Sequence, residues 1–349
     1  PFYSMITLLG MLPEELTGLA LSIGMPKFAG RQLADWIYNK RVTSFDEMTN
    51  ISLRHRALLQ EKATIGRKAP VARADSKDGT RKFLFAVGDG AQYVESVFIP
   101  EGDRATLCVS SQIGCKMDCL FCMTGKQGFK GNLTSAEIVN QILSIPDSDK
   151  LTNIVYMGMG EPLDNVEAVL KSIACLTHPS GLAMSPKRIT LSSIGLEPGL
   201  SKFLEQCSCH LAISLHNALP EERLSMMPIE RAMPIEKTIE TLKRYNFSGQ
   251  RRLTFEYIVF GGLNDDIAHA KALLQELFIA LFGKWSLDRI NLIRYHRIPN
   301  VALPSSQEER MQRFADYLNG AGVPTTIRAS RGEDIAAACG MLSAQHQTK

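Results

Sequence analysis

No run of about 18 apolar residues occurs in this 349-residue chain, which excludes an ordinary membrane-spanning helix. The first residues, Pro1 to Leu9, lack both a basic region and a small-residue cleavage pattern, so no secretory signal is expected. Eight cysteines are too few and too unevenly placed for a disulfide scaffold, which points to a reducing, cytoplasmic setting. Histidine is missing between His55 and His178, so nothing in that stretch completes a Cys/His zinc site. Charge of one sign is also lacking, with a net of only +3. The bias that exists is local: residues 1–82 hold 13 Lys/Arg against 8 Asp/Glu. A basic N-terminal segment suits a phosphate backbone, and a solvated basic face explains it equally well.

Apolar periodicity predicts helices over 12–24, 27–40 and 45–59, a small helical module ending near Gly66. Lys82–Val87 and Gln92–Ile99 read as strands joined across Gly88-Asp89-Gly90. Tyr93, Glu95, Val97 and Ile99 then share one face, where an acid needs a role or a partner. From residue 105 strands and helices alternate. Strands are expected at 105–109, 153–157, 188–192, 210–215, 252–260, 288–293 and 324–329. The helices between them fall at 134–143, 165–176, near 220, at 234–245, 266–281 and 306–319, the first opened by a Thr134/Glu137 capping box. Such repeats pair in parallel with right-handed crossovers. No dinucleotide-type glycine pattern stands after the first of these strands. The expected architecture is therefore α/β, a partial (β/α) barrel with its site at the C-terminal strand ends.

That first strand runs instead into Cys115-x3-Cys119-x2-Cys122. Three thiolates on one loop suit three irons of a 4Fe–4S cluster and leave the fourth iron open to a substrate. Zinc is the rival, but a structural zinc wants four ligands, and the nearest spare thiol, Cys108, lies on the preceding strand. Phe121 stands before the last cysteine. At the end of the next strand comes Gly158-Met159-Gly160-Glu161-Pro162, where glycines permit close backbone approach to a ligand. The cysteine loop and this turn together resemble the radical-SAM superfamily.

Further motifs narrow the resemblance. They are Tyr93-Val94-Glu95-Ser96-Val97, Thr106–Gln112 with Cys108, Ser214-Leu215-His216, Asn291–Tyr295, and Arg331-Gly332-Glu333-Asp334-Ile335 running on to Cys339-Gly340. In this order, from about Leu12 to Leu342, they resemble the RlmN/Cfr family of RNA methyltransferases. The resemblance implies a division into a helical, RNA-contacting accessory domain (1–70), a linking β-hairpin (71–100) and a radical-SAM partial (β/α) barrel (101–349) whose C-terminal segment carries Cys339. It implies a 4Fe–4S cluster on Cys115, Cys119 and Cys122. S-adenosylmethionine would lie against Gly160, Glu161, Ser192, Ser214, Leu215, His216 and His296, the last standing where the family often has Asn.

The implied chemistry starts from an electron-poor adenine carbon that will not attack a methyl sulfonium. Cys339 takes a methyl from one S-adenosylmethionine as a thiolate nucleophile. A second molecule yields the 5′-deoxyadenosyl radical, which removes hydrogen from that methyl, and the methylene radical adds to the ring. Glu95 is the implied general base. Cys108 then attacks the Cys339 sulfur and releases RNA with a transient disulfide that a reductant resets. The implied substrates are one adenosine of 23S rRNA, at carbon 2, and tRNA. A helical N-terminal module and Pro162 rather than Ala favour carbon 2 over the carbon 8 branch. A monomer, an electron-donor protein and no membrane contact complete the expectation. Alternatives are another radical-SAM modifying enzyme or a zinc-stabilised RNA-binding module. Cys175, Cys207 and Cys209 read as packing residues, and His55, His178, His210 and His269 as structural or surface groups. Lys126, Lys130, Arg251 and Arg252 suit phosphates or solvent.

Overall fold

The computed structural model describes residues 5–247, 249, 251–275 and 289–335. One ten-stranded sheet organises it. Seven strands are parallel and ordered as in the sequence: β6 (Arg104–Cys108), β9 (Asn153–Tyr156), β10 (Ile189–Ser193), β11 (His210–Ser214), β12 (Leu253–Val259), β13 (Arg289–Arg294) and β14 (Thr325–Ile327). A doubly wound sheet reverses its strand order; this one does not, so right-handed crossovers place every helix on the same face. Strands β6 and β14 do not pair with each other, and the barrel stays open.

The convex face carries Leu107, Ile154, Tyr156, Leu191, Leu211, Ile213, Phe255, Tyr257, Ile290 and Leu292, all buried against the helices in one core. Alternate residues of the same strands point the other way and line a cleft of 1120 Å³, among them Cys108, Val155, Thr190, Thr254, Glu256 and Asn291. Period-two alternation thus separates packing from chemistry along each strand.

Strand β6 also pairs antiparallel with β5 (Gln92–Glu101), which continues to β4 (Arg81–Val87) and β3 (Ala72–Asp75). The hairpin expected to link two domains is built into the barrel's own sheet. Two further short pairs, β1 (Ile6–Thr7) with β2 (Ala63–Thr64) and β7 (Gln112–Ile113) with β8 (Gly131–Asn132), lie outside it.

The N-terminal module has a separate core of Leu8, Leu16, Leu33, Ile37, Tyr38 and Leu59, closed by Val139, Leu143 and Cys175 from the helices Ser135–Leu143 and Val166–Thr177. The Tyr38 hydroxyl donates to Met11 O at 2.5 Å and reaches Cys175 Sγ at 3.4 Å. Lys171 pairs with Glu15 at 2.7 Å and His178 with Glu14 at 3.1 Å, so His178 and Cys175 serve docking. The single helix expected over 45–59 is two pieces, a 3-10 turn Phe45–Glu47 and the helix Leu53–Lys62, because Ser44 and Ser52 each cap a new start. Helix 266–281 is seen as Ile267–Ala272 with an extension to 275, and its remainder lies outside the described residues.

Candidate active site

The cysteine loop leaves β6 and packs directly on the glycine turn after β9. Ser111 and Gln112 donate their backbone N–H groups to Met159 O at 2.9 and 3.1 Å. Gly158 donates to Val109 O at 3.0 Å. A Cβ on Gly158 would stand 2.6 Å from the Val109 carbonyl carbon. Gly160 adopts φ +95°, and a Cβ there would meet Gln112 at 2.4 Å. Both glycines are demanded by this contact. Gln112 locks it: its Oε1 accepts from Glu161 N at 2.8 Å, and its Nε2 donates to Asp164 at 2.7 Å and Asn132 at 2.8 Å.

Glu161 turns its carboxylate inward. It accepts from the Ser193 hydroxyl at 2.6 Å, Leu163 N at 3.0 Å and Ile194 N at 3.1 Å, tying the β9 turn to the end of β10. Burial pushes its pKa up to about 7, against the lowering by those three donors. The side chain is committed to the protein, so the turn presents backbone to a ligand. Ser192 and Ser214 sit near the ends of β10 and β11, both half-buried, in register with Ala212 and Glu256 respectively.

Cys115 and Cys119 are buried, with Cys122 half-buried, in a cluster that includes Met117, Ile194, Met226, Met227, Phe260 and Tyr295. Burial first, then the Glu161 carboxylate and the Cys122 thiol, pushes Cys115 up to about 12; Cys119 moves the same way, with burial again the largest cause. Such thiols are protonated until a metal displaces the proton. A single zinc would draw its ligands to about 2.3 Å each. Three thiols serving three different irons need not converge, and the soft, apolar pocket suits an iron–sulfur cluster.

His216 sits at φ +60° at the end of β11, with Leu215 N and His216 N both donating to Glu256 O. Its Nδ1 accepts from Ile258 N at 3.1 Å, and its ring meets Phe121 edge-on at 5.0 Å. Burial, helped by Arg223, lowers its pKa to about 3, so the ring is neutral. Arg223 is itself buried, pairs with Glu230, and donates to Leu215 O at 2.9 Å and Ser214 O at 3.1 Å. Asn264 donates to His216 O at 2.8 Å. Gln112, the last residue of the Thr106–Gln112 run, thus shapes the site together with Ser193, Arg223 and Asn264, which carry no motif of their own.

Cys108 faces the cleft beside Val97 and Val155. Val97 is its register partner on β5, and Glu95 lies two residues from Val97 on the same face. The partner demanded by an acid there is Lys82, whose Nζ is 2.8 Å from Glu95 Oε2, both side chains fully buried. Glu95 and Cys108 are brought together as neighbours; Cys339 lies outside the described residues. The described chain ends at the rim of the cleft, where Ser330 and Arg331 line it and Gly332 N donates to Asp78 at 2.9 Å. Asp334 accepts from Ser76 at 2.5 Å and Lys77 N at 3.1 Å. His296 also lines the cleft and contacts the Ser330 hydroxyl at 3.2 Å. Of the basic residues, Lys126 pairs with Asp118, and Arg251 caps Leu204 O while its guanidinium faces Phe203.

An open parallel barrel with a three-cysteine loop after its first parallel strand and a glycine turn after its second defines the radical-SAM class, which works with a 4Fe–4S cluster and S-adenosylmethionine. A family model described as the radical SAM superfamily matches residues 109–274. Another, the ribosomal RNA large subunit methyltransferase N-terminal domain, matches residues 6–65. The chain is 58% identical over 96% of its length, and 96% of the relative's, to a Parabacteroides distasonis protein named "Probable dual-specificity RNA methyltransferase RlmN". A Porphyromonas gingivalis protein of the same name is 59% identical over 97% of this chain and 94% of its own. The crystal structure of a radical SAM methyltransferase from Sphaerobacter thermophilus superposes with TM-score 0.88 at 36% identity, covering 96% of this chain and 98% of that one. The chain belongs to the RlmN family of radical-SAM RNA methyltransferases.

Proposed function

We infer that this enzyme methylates carbon 2 of a specific adenosine in 23S rRNA, and of one in tRNA, through a methylated cysteine. The observation that carries this reading is the placement of Cys108 on the cleft opposite Val97 of β5, with the buried Glu95–Lys82 pair two residues further along the same face of that strand, beside the root of the cysteine loop. A radical-SAM enzyme without a thiol shuttle has no need of that arrangement. The match of residues 6–65 to a ribosomal RNA methyltransferase domain favours the carbon 2 branch over carbon 8.

Cys115, Cys119 and Cys122 would hold one 4Fe–4S cluster, and such a cluster, when bound, would supply the electron for reductive cleavage of S-adenosylmethionine. The backbone of Gly160 and Glu161, with Ser192, Ser214, Leu215, His216 and His296, seats the S-adenosylmethionine. Cys339 is methylated at sulfur and presents that carbon to the adenine. Glu95 removes the ring proton after the carbon–carbon bond forms, with Lys82 steadying the carboxylate. Cys108 displaces the product from the Cys339 sulfur, and the disulfide between the two is reduced by an electron-donor protein. Each turnover consumes one S-adenosylmethionine as methyl donor and another as radical source. The enzyme acts in the cytoplasm as a monomer, and the N-terminal helical module contributes to RNA contact.

The test is Cys108→Ala, incubated anaerobically with S-adenosylmethionine, reductant and RNA. A covalent protein–RNA adduct on a denaturing gel is expected, since the resolving thiol is gone. Free enzyme and free methylated RNA would contradict the role of Cys108.

A further inference from the structure

The ten-stranded sheet has two edge strands, β3 and β14, at opposite ends of the strand order. The chain that follows β14 joins them. The Ser330 hydroxyl contacts His296, just beyond β13, at 3.2 Å. Arg331 Nη2 stands 3.6 Å from Glu101 at the end of β5. Gly332 and Asp334 reach the turn between β3 and β4. Residues 330–334 thus form a strap over the open side of the barrel, where Thr80, Glu101, Ser330 and Arg331 line the cleft together.

The strap is held by a reciprocal clasp. Asp78 Oδ1 accepts from Thr80 N inside its own turn at 2.9 Å, and Oδ2 accepts from Gly332 N of the strap at 2.9 Å. Asp334 answers from the strap: Oδ1 accepts from the Ser76 hydroxyl at 2.5 Å and Oδ2 from Lys77 N at 3.1 Å. The Ser76 oxygen also accepts from Asp78 N at 3.3 Å, which joins the two halves. The Gly332 N–H holds Asp78, and the Ser76 hydroxyl holds Asp334, below the usual carboxylate range. Little apolar surface is buried with these bonds, since Ala329 is exposed and Ile335 only half-buried. The clasp, not packing, therefore sets the course of the strap. From Ile335 the chain runs four residues to Cys339, a reach of at most about 14 Å. Whatever fixes the strap limits where that thiol can meet Cys108.

We propose that Asp78 and Asp334 are positioning residues for the reaction: by clasping the strap to the β3–β4 turn they hold Cys339 within reach of Cys108. This deepens the thiol-shuttle reading given above and rests on it. The two carboxylates take no part in the chemistry. They pre-organise a pair of sulfurs whose reaction depends steeply on placement.

Unmethylated, cluster-reconstituted enzyme equilibrated with glutathione tests it. The Cys108 and Cys339 thiols together give up two electrons and two protons as their disulfide forms, and one glutathione disulfide takes these up as two glutathione thiols. The effective concentration of the pair, read by peptide mass spectrometry, falls about 10-fold or more in Asp334→Ala. It is largely restored in Asp334→Asn, whose amide oxygen still accepts a hydrogen bond from the turn. With S-adenosylmethionine, reductant and RNA, Asp334→Ala also lengthens the life of the covalent protein–RNA adduct, while iron content and melting temperature stay at wild-type values. Asp78→Ala behaves alike; because Asp78 also ties its own turn, Asp334→Ala decides the matter if Asp78→Ala does not fold. Wild-type effective concentration and adduct lifetime in Asp334→Ala overturn the proposal. So does an equal loss in Asp334→Ala and Asp334→Asn with a lowered melting temperature, which marks a merely structural role. Wild type that never forms the Cys108–Cys339 disulfide overturns the thiol shuttle itself, a distinguishable result.

Discussion

At the scale of single residues, Glu161 and His216 show how burial sets protonation at this site. The Glu161 carboxyl is raised from 4.5 to about 7 by burial. Its contribution to stability is therefore full below the unfolded value and lost as pH rises through about 7. His216 is shifted the other way, from 6.5 to about 3, so its contribution is present above the unfolded value and lost as pH falls toward the folded one. Glu161→Gln should weaken the protein at low pH by removing one acceptor. It should also flatten the decline between about pH 5 and about pH 8, read as the melting temperature of variant against wild type across that range. Cys339→Ala should still cleave S-adenosylmethionine slowly and methylate no RNA; 5′-deoxyadenosine with unmodified RNA is the expected pair of readings, and methylated RNA would refute the shuttle.

At the scale of elements, the contact between the cysteine loop and the β9 turn is the one most exposed to substitution. Gly158→Ala drives a methyl into the Val109 carbonyl at 2.6 Å, backbone that has little room to yield. A loss of about 1–3 kcal/mol in urea unfolding is expected, with poorer cluster incorporation judged by iron content. A variant as stable and iron-rich as wild type would show that the turn relaxes freely. The residues around this contact also show which features are legible in the sequence. The cysteine spacing, the glycine turn and most of the strand–helix alternation are local patterns, although the helix Gly199–Gln206 between β10 and β11 is not among those the sequence predicts. Glu95 stands out because an acid breaks an apolar face, and Lys82 answers it. Gln112, Ser193, Arg223 and Asn264 act through partners distant along the chain, such as Glu161 for Gln112 and His216 for Asn264. Gln112 closes a motif run and Ser193 follows Ser192, but neither run names the partner it meets. The inward turn of the Glu161 carboxylate is hidden for the same reason. The four-residue strand β3 escapes a sequence reading because Ala72–Asp75, half polar and short, has no strand-like run of its own.

At the scale of the whole molecule, a helical module is clamped to two barrel helices beside an open cleft. Lys27, Arg31, Arg54 and Lys62 are exposed on that module. Replacing all four with Gln should weaken RNA binding at moderate salt. It should also reduce the slope of log affinity against log salt by roughly 0.7 for each phosphate that is no longer neutralised. An unchanged slope would confine RNA binding to the barrel. Arg252, Arg289, Arg294 and Arg328 line the cleft itself. The central claim is the reaction, and nucleoside mass spectrometry tests it most directly. Reconstituted enzyme is incubated anaerobically with S-adenosylmethionine, a reductant and ribosomal RNA lacking the modification. The expected product is 2-methyladenosine. A product of 8-methyladenosine, or 5′-deoxyadenosine with no methylated adenosine, would contradict carbon 2 methylation.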